Sequence, residues 1–234
     1  MSVQAYPDHA TVLRTYADGV TDFSGFPLSA LDFYDDLEVD NTRSYWEQHK
    51  PTYDADVRAP MLALVAALEP EFAQPGLPVK VFRPHRDVRF AKDKTPYKTH
   101  QGAFVPSGHA TGWYVEISAR GTRVGAGFYD PGGPRLAAIR EAMAHDRTGP
   151  ELEGILADLN REGFEISGER LKTSPRGYAA DHPRIELLRH KQLMAGRRYG
   201  FEADAIGPEL LDRVRDDWRL LRPLVTWVAT HAQH

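Results

Sequence analysis

Residues 113–128 read Trp-Tyr-Val-Glu-Ile-Ser-Ala-Arg-Gly-Thr-Arg-Val-Gly-Ala-Gly-Phe, in which apolar residues alternate with polar or small ones on both sides of Arg120-Gly121. A period of two is typical of strands that bury one face. If Arg120-Gly121 is a two-residue turn, residue 117 pairs with 124, 115 with 126 and 113 with 128. All of these pairs are apolar on both sides, so the pattern predicts an antiparallel hairpin with one buried face.

The other face of this hairpin is predicted to place Tyr114 opposite Gly127 and Glu116 opposite Gly125. An aromatic ring that lies over a cross-strand glycine stabilises a sheet. Glycines in a strand also leave bare backbone that a ligand can approach. Packing is the commoner role of such glycines, and ligand approach is the alternative.

Apolar residues at spacings of three and four predict helices on both sides of the hairpin. The first begins at Pro27, and Asn41 is predicted to cap the second. Thr148 and Glu151 fit a capping box for a later helix. Further predictions are a short strand at 164–166, a helix at 183–190, an extended segment at 192–201 and a long last helix opened by Gly207-Pro208.

Strands cluster in this chain and do not alternate with helices, which disfavours a parallel dinucleotide-binding fold. The pattern predicts an α+β protein: residues 23–230 form a single domain with an antiparallel sheet packed against several helices, including a long C-terminal helix. Residues 1–22 lack a clean period, so we expect them to form an irregular N-terminal extension.

The composition excludes several classes of function. The 234 residues include no cysteine, so disulfides, zinc-thiolate sites, iron–sulfur clusters and cysteine nucleophiles are ruled out. The sequence contains no helical zinc motif, P-loop or Gly-x-Ser-x-Gly elbow, and we expect neither a metal nor a cofactor. Without a long apolar run or a signal peptide, we expect a cytoplasmic protein with no membrane partner. The net charge of −4 makes nucleic acid an unfavoured partner, and the sequence leaves the oligomeric state open.

Residues 79–98 form a basic stretch in an otherwise acidic protein. Seven Lys and Arg against two Asp give this stretch a charge of +5, so the rest of the chain sums to −9. One explanation is an anion site, because arginine forks match phosphate and carboxylate oxygens. The other is internal pairing with Asp87 and with acidic segments such as 32–40.

The same stretch carries a recognisable motif. Arg86-Asp-x-Arg-Phe90 followed by Asp93-Lys-x-Pro-Tyr-Lys98 resembles the core motif of a widespread microbial family of conserved hypothetical proteins, catalogued as domain of unknown function twenty-four sixty-one. Segments at 23–26, 41–46, 125–131, 171–177 and 187–191 are similar too. The resemblance covers residues 23–230 and implies no particular activity.

These observations lead to a candidate site built from three pieces. The basic loop would clamp an anion, the second face of the hairpin would form the floor, and a segment after the hairpin would add a second cationic wall. The expected ligand is a small molecule that bears phosphate or carboxylate, and Asp93 or Glu116 would be the general base of an associated reaction. The sequence does not decide whether the protein is an enzyme. The predicted ligand-binding residues are Arg86, Arg89, Lys92, Lys94, Tyr97, Lys98, Tyr114, Lys172 and Arg176.

Two alternatives remain open. The protein is an interaction module whose basic loop docks an acidic protein or RNA, or the loop is purely structural. In the structural alternative Asp87, Asp93 and Glu116 are consumed in ion pairs that hold the loop onto the sheet. A binding site requires that the cations line a hollow, whereas a docking patch requires that they lie on an open face.

Overall fold

The computed structural model of the protein describes residues 22–108, 110–129, 132–200 and 203–232. The predicted N-terminal extension, residues 1–22, therefore lies outside the described residues except for Asp22. None of the helices in the described ranges combines the length and the apolar character that crossing a membrane requires.

A six-stranded sheet forms the centre of the molecule, and all its pairings are antiparallel. Its spatial order is β1-β2-β3-β4-β6-β5, so the two shortest strands lie at the edges. The strands are β1 (Lys80–Val81), β2 (His100–Gly108), β3 (Thr111–Ser118), β4 (Gly121–Phe128), β5 (Glu165–Ser167) and β6 (Leu193–Arg198). This architecture confirms the predicted α+β domain with an antiparallel sheet.

Helices precede, interrupt and follow the strands. They are α1 (Leu28–Val39), α2 (Arg43–Thr52), α3 (Ala59–Phe72), α4 (Gly133–Ala144), α5 (Thr148–Arg161), α6 (Ile185–Leu188), α7 (Ala203–Ile206) and α8 (Leu210–His231). A π-helical segment, Tyr53–Arg58, joins α2 to α3 without a break. The long helix α8 confirms the predicted C-terminal helix, although it begins two residues after Pro208.

One face of the sheet is sealed by helices. Trp113 is fully buried on this face, its indole Nε1 donates to the Phe72 carbonyl of α3 at 3.0 Å, and its ring lies 5.8 Å from that of Trp218 in α8. Thr122 Oγ1 donates to the Ala205 carbonyl of α7 at 2.8 Å. Helices α3, α7 and α8 therefore cover the face that the alternation of β3 predicted to be buried.

The predicted register of the hairpin is wrong by two residues. Ser118 pairs with Gly121, so Ala119 and Arg120 form the turn, and Gly121 follows it with φ +80°. A glycine in this conformation directly after a turn is typical of hairpins with a bulge, which is why it does not belong to the turn itself. A shift of two residues leaves the faces unchanged. It places Tyr114 opposite Gly125, and Glu116 opposite a charged residue.

The predicted cap of α2 is also wrong. Asn41 does not cap α2, because the hydroxyl of Thr42 accepts from the Tyr45 amide at 3.2 Å. The Asn41 side chain instead forms two hydrogen bonds with the backbone of Tyr97, one with its amide at 3.0 Å and one with its carbonyl at 3.1 Å. Tyr97 also stacks on Trp46 with ring centroids 4.4 Å apart. The end of the basic loop is thus fixed to the start of α2.

Other local predictions are partly right. The short strand and the extended segment correspond to β5 and β6, but the helix predicted at 183–190 is confined to α6. Thr148 does not cap α5, because its hydroxyl donates to the Ala142 carbonyl at 2.6 Å. No strand was predicted for β2, where Gly102 and Pro106 interrupt the β-branched and aromatic residues that strands favour.

Gly127 provides a test of the sheet. Its φ is +144°, and an added Cβ would lie 2.0 Å from the Leu193 carbonyl oxygen. We expect Gly127→Ala to lower the free energy of unfolding by about 3 kcal/mol, measured by urea denaturation. The control is Gly154→Ala in α5, where nothing lies within 4 Å of the new methyl. This control should gain about 0.5–1 kcal/mol through helix propensity, and equal effects of the two substitutions would contradict the expectation.

Asn41 provides a test of how the loop is held. Asn41→Ala removes both hydrogen bonds to Tyr97, so we expect the free energy of unfolding to fall by about 1–3 kcal/mol. Asn160→Ala is the matched control, since its side chain makes a single long bond of 3.5 Å to the Phe164 carbonyl. If both variants unfold at the same urea concentration as the parent protein, the Asn41 contact does not fix the loop.

Candidate functional site

The second face of the sheet carries charged residues in register across three strands. Glu116 on β3 lies opposite Arg123 on β4, and Arg123 lies opposite Arg198 on β6. We call these three residues the cationic row. Gly102 continues the row on β2, where it pairs with Glu116.

Glu116 is the best-connected member of the row. Its Oε2 accepts from the Tyr114 hydroxyl at 2.6 Å, its Oε1 accepts from Arg198 Nη2 at 3.3 Å, and its side chain is 11% exposed. Burial raises the pKa of Tyr114 well above its ordinary value, and the neighbouring Glu116 charge raises it further. The tyrosine therefore remains a hydrogen-bond donor to the carboxylate at all physiological pH values.

Arg123 is the least satisfied member. It is half-buried, and its guanidinium forms no hydrogen bond or ion pair with any residue that the structure describes. Arg198 lies directly opposite, and like charges at opposed positions of neighbouring strands destabilise a sheet. The row thus holds two guanidinium groups and a single carboxylate.

Lys98 of the basic loop adds to this positive field, and His100 on β2 is exposed to it. Burial lowers the pKa of His100, and its fall is deepened by the charges of Lys98, Arg198 and Arg123, while Glu116 opposes it. Burial and the charge of Arg83 also lower the pKa of Lys98. His100 pairs with Ser118 at the end of β3, in the position adjoining the row. The cations of the row and the last lysine of the loop therefore act on one imidazole.

Most other residues of the basic loop are engaged within it. Arg86 forms an ion pair with Asp93 and also binds Thr95. Arg89 donates two hydrogen bonds to the Asp87 carboxylate, from Nε at 2.9 Å and from Nη2 at 2.7 Å. Lys94 Nζ donates to the Val88 carbonyl at 2.9 Å, and Lys92 is exposed.

Asp93 and Tyr97 were predicted to be site residues, but their contacts stabilise the loop and the core. Hydrogen bonds from the Thr95 amide and from Arg86 lower the pKa of Asp93 to about 2. A carboxylate with so low a pKa is a weak proton acceptor at neutral pH. Tyr97 is 5% exposed and belongs to the core through its stacking on Trp46.

The predicted second cationic wall is far from the loop. Lys172 and Arg176 are exposed and follow β5, at one edge of the sheet, whereas the loop follows β1 at the other edge. Five strand spacings separate these edges, a distance of about 24 Å at ~4.8 Å per spacing. The structure therefore brings Tyr114, Glu116 and Lys98 to the same side of the sheet. The segment with Lys172 and Arg176 follows β5, which runs away from Arg198, since Glu165 pairs with Gly196 and Ser167 with Met194.

Sequence reasoning missed His100, Arg123 and Arg198. Arg123 was already on the correct face of the predicted hairpin, and the correct register would have placed it opposite Glu116. Arg198 could be found only through the pairing of β4 with β6, which are distant in sequence.

The described residues show two further features that bear on function. They include no group of three or more His, Cys, Asp or Glu placed to hold a metal ion. A cavity of about 620 Å³ lies between α5 and α8 and is lined by residues such as Arg147, Glu151, Trp227 and His231. None of the predicted site residues lines this cavity.

Comparison with known proteins concerns almost the whole folded chain. Curated proteins give no match. A family described as conserved hypothetical protein (DUF2461) matches residues 29–227, a range that contains the whole sheet, the basic loop and the cationic row. The resemblance found in the basic loop is thereby confirmed, and the chain belongs to this family of conserved hypothetical proteins.

Proposed function

We propose that the protein binds a small anionic ligand, bearing phosphate or carboxylate, at the cationic row. The observation that carries this proposal is the half-buried residue Arg123, which opposes Arg198 and whose side chain forms no hydrogen bond or ion pair within the described residues. The cost of a charge rises as it is removed from water without a counter-charge. An anion between the two arginines would supply that pair.

The surroundings of the row suit such a ligand. Guanidinium groups donate pairs of parallel hydrogen bonds that match the oxygens of phosphate and carboxylate. In the neighbouring cross-strand row Tyr114 is followed by Gly125 and Gly196, so bare backbone adjoins the cations. Glycine allows a ligand to approach the sheet closely.

In this proposal a single residue of the basic loop, Lys98, contributes to the anion site. Lys98 is held beside the Phe82 ring at 5.3 Å, and its charge reaches His100. It is therefore the loop residue placed to add to the field at the row. Arg86 and Arg89 shape the loop through their ion pairs with Asp93 and Asp87.

Proton transfer is the natural extension if the bound ligand also reacts. Glu116 is a carboxylate fixed by Tyr114 and Arg198, and His100 stays uncharged near neutral pH because its pKa is lowered. An uncharged imidazole is the commonest general base in proteins. Glu116 and His100 are thus the candidates for moving a proton, and Asp93 is not.

Arg123→Gln separates binding from folding. In wild-type protein we expect inorganic phosphate, pyrophosphate or citrate to raise the melting temperature beyond a sodium chloride control of equal ionic strength. Arg123→Gln removes one of two opposed cations, so the melting temperature without anion should stay the same or rise. Binding of the anion should weaken by about tenfold or more, measured by calorimetric titration.

Arg176→Gln is the matched control, since it makes the same charge change outside the site. It should retain the anion response of the parent protein. The proposal fails if none of these anions stabilises wild-type protein beyond the salt control, or if the two variants respond equally.

The pH dependence of sulfate binding tests whether His100 belongs to the anion site. Protonation of His100 adds a positive charge beside the row, so sulfate affinity should rise as the pH falls below the ordinary range of histidine toward the lowered pKa. Sulfate is the probe because it does not itself titrate in this range. His100→Gln should flatten the profile, and NMR titration of the His100 ring should show its pKa rising when sulfate is added. A profile that persists unchanged in His100→Gln would remove His100 from the site.

A further inference from the structure

The tip of the basic loop presents an aromatic ring to solvent. Phe90 is 96% exposed, the highest value among the large apolar side chains of the described residues. The tip, residues 88–94, also carries Lys92, which forms no ion pair there, and Lys94, whose ammonium binds only backbone carbonyls. The tip therefore combines the exposed ring of Phe90 with the ammonium groups of Lys92 and Lys94, which form no ion pair in the described ranges.

The outer face of α1 has the opposite character. Five exposed residues recur at helical spacing on this face: Leu28, Asp32, Asp35, Asp36 and Val39. The residues of the opposite, inner face of α1 are buried. Val39 is 90% exposed and Leu28 is 65% exposed. None of these aspartates forms an ion pair within the described part of the chain. We call this surface the acidic stripe.

The base of the loop is attached to the chain just after α1, so both surfaces belong to the same region of the fold. Asn41, two residues after the end of α1, is bonded to Tyr97 at the base of the loop. Lys92 and Lys94 nevertheless form no ion pair with the stripe in the described ranges. A two-fold rotation about an axis between the two surfaces would bring each positive surface against a negative one, and most homodimers have this symmetry.

We propose that two copies of the protein associate through these surfaces, with Phe90 of each copy packed against the Val39 end of the other copy's α1. The occupant is a second copy because the chain itself carries the complementary charges and an exposed apolar side chain on each surface, Phe90 on one and Val39 on the other. The contact is independent of the anion proposed at the cationic row, since neither surface includes residues of that row.

Charge reversal tests the contact. Light scattering or sedimentation at low ionic strength should show a dimer of wild-type protein that dissociates as salt is raised, because exposed charges are screened. Lys92→Glu/Lys94→Glu and Asp35→Lys/Asp36→Lys should each be monomeric under the same conditions. An equimolar mixture of the two variants should form a heterodimer, since both contacts then regain opposite charges.

Glu151→Lys/Glu153→Lys is the control, because it reverses two exposed carboxylates on α5. It should dimerise like the parent protein. A wild-type protein that stays monomeric at low salt and high concentration overturns the proposal. So does a dimer that both charge-reversed variants retain. A partner of another kind, such as an acidic protein or RNA, would leave the protein alone monomeric.

Disulfide trapping gives a second measurement that does not depend on charge. The chain has no cysteine, so Phe90→Cys and Val39→Cys introduce single thiols. When the two variants are mixed under mild oxidation, we expect a disulfide-linked heterodimer in clear excess over either homodimer. Formation of the three species in random proportions, or of none, contradicts the proposed contact even if the charge-reversed variants fold poorly.

Discussion

The alternation of side chains along β3 and β4 is the constraint on which the rest of the structure depends. It sends Trp113, Val115 and Ile117 to the face that α3 and α8 seal, and it sends Tyr114 and Glu116 to the other face. Because the sealed face fixes the strands in one register, the charged side chains of the second face cannot slide past one another. The cationic row exists because the apolar core on the opposite face holds it in place.

The charges of this protein fall into two classes with different consequences. The pair Arg89–Asp87 is exposed and the pair Arg86–Asp93 is partly exposed, and surface pairs contribute about 0–1 kcal/mol each. The loop is held instead by the Asn41 side chain and by the Tyr97 ring on Trp46. In the row, by contrast, Glu116 is nearly buried and its arginines outnumber it. Most charges of the loop are thus paired within it, whereas the row has more arginines than carboxylates. The row is therefore the better candidate for binding an anion.

The sequence was sufficient where periodicity alone determines the outcome. The apolar stripe of α8 and the two faces of the β3–β4 hairpin follow from spacings of three to four and of two. The register did not follow, because Gly121 fits equally well within a turn and directly after one. The strand β2 was missed because its glycine and proline are uncommon in strands.

The candidate site could be predicted only in part for a different reason. Tyr114 and Glu116 are two residues apart on β3, so the alternation of the strand was enough to place them on one face. Arg198 reaches the row through strand order. Lys172 is removed from it because the chain runs from Glu165 beside Gly196 to Arg170 beside His190, away from Arg198. Nothing in a single sequence states that β6 lies between β4 and β5. The position of charges on distant strands is therefore the part that required a structure.

The edges of the sheet have a consequence for how the protein behaves in a crowded solution. The edge strands β1 and β5 have two and three residues, and β1 begins with a lysine. Short edges and edge lysines deny an incoming chain the row of free amides and carbonyls that it would need to extend the sheet. The two outermost strands thus offer an incoming chain little backbone for sideways growth into fibrils.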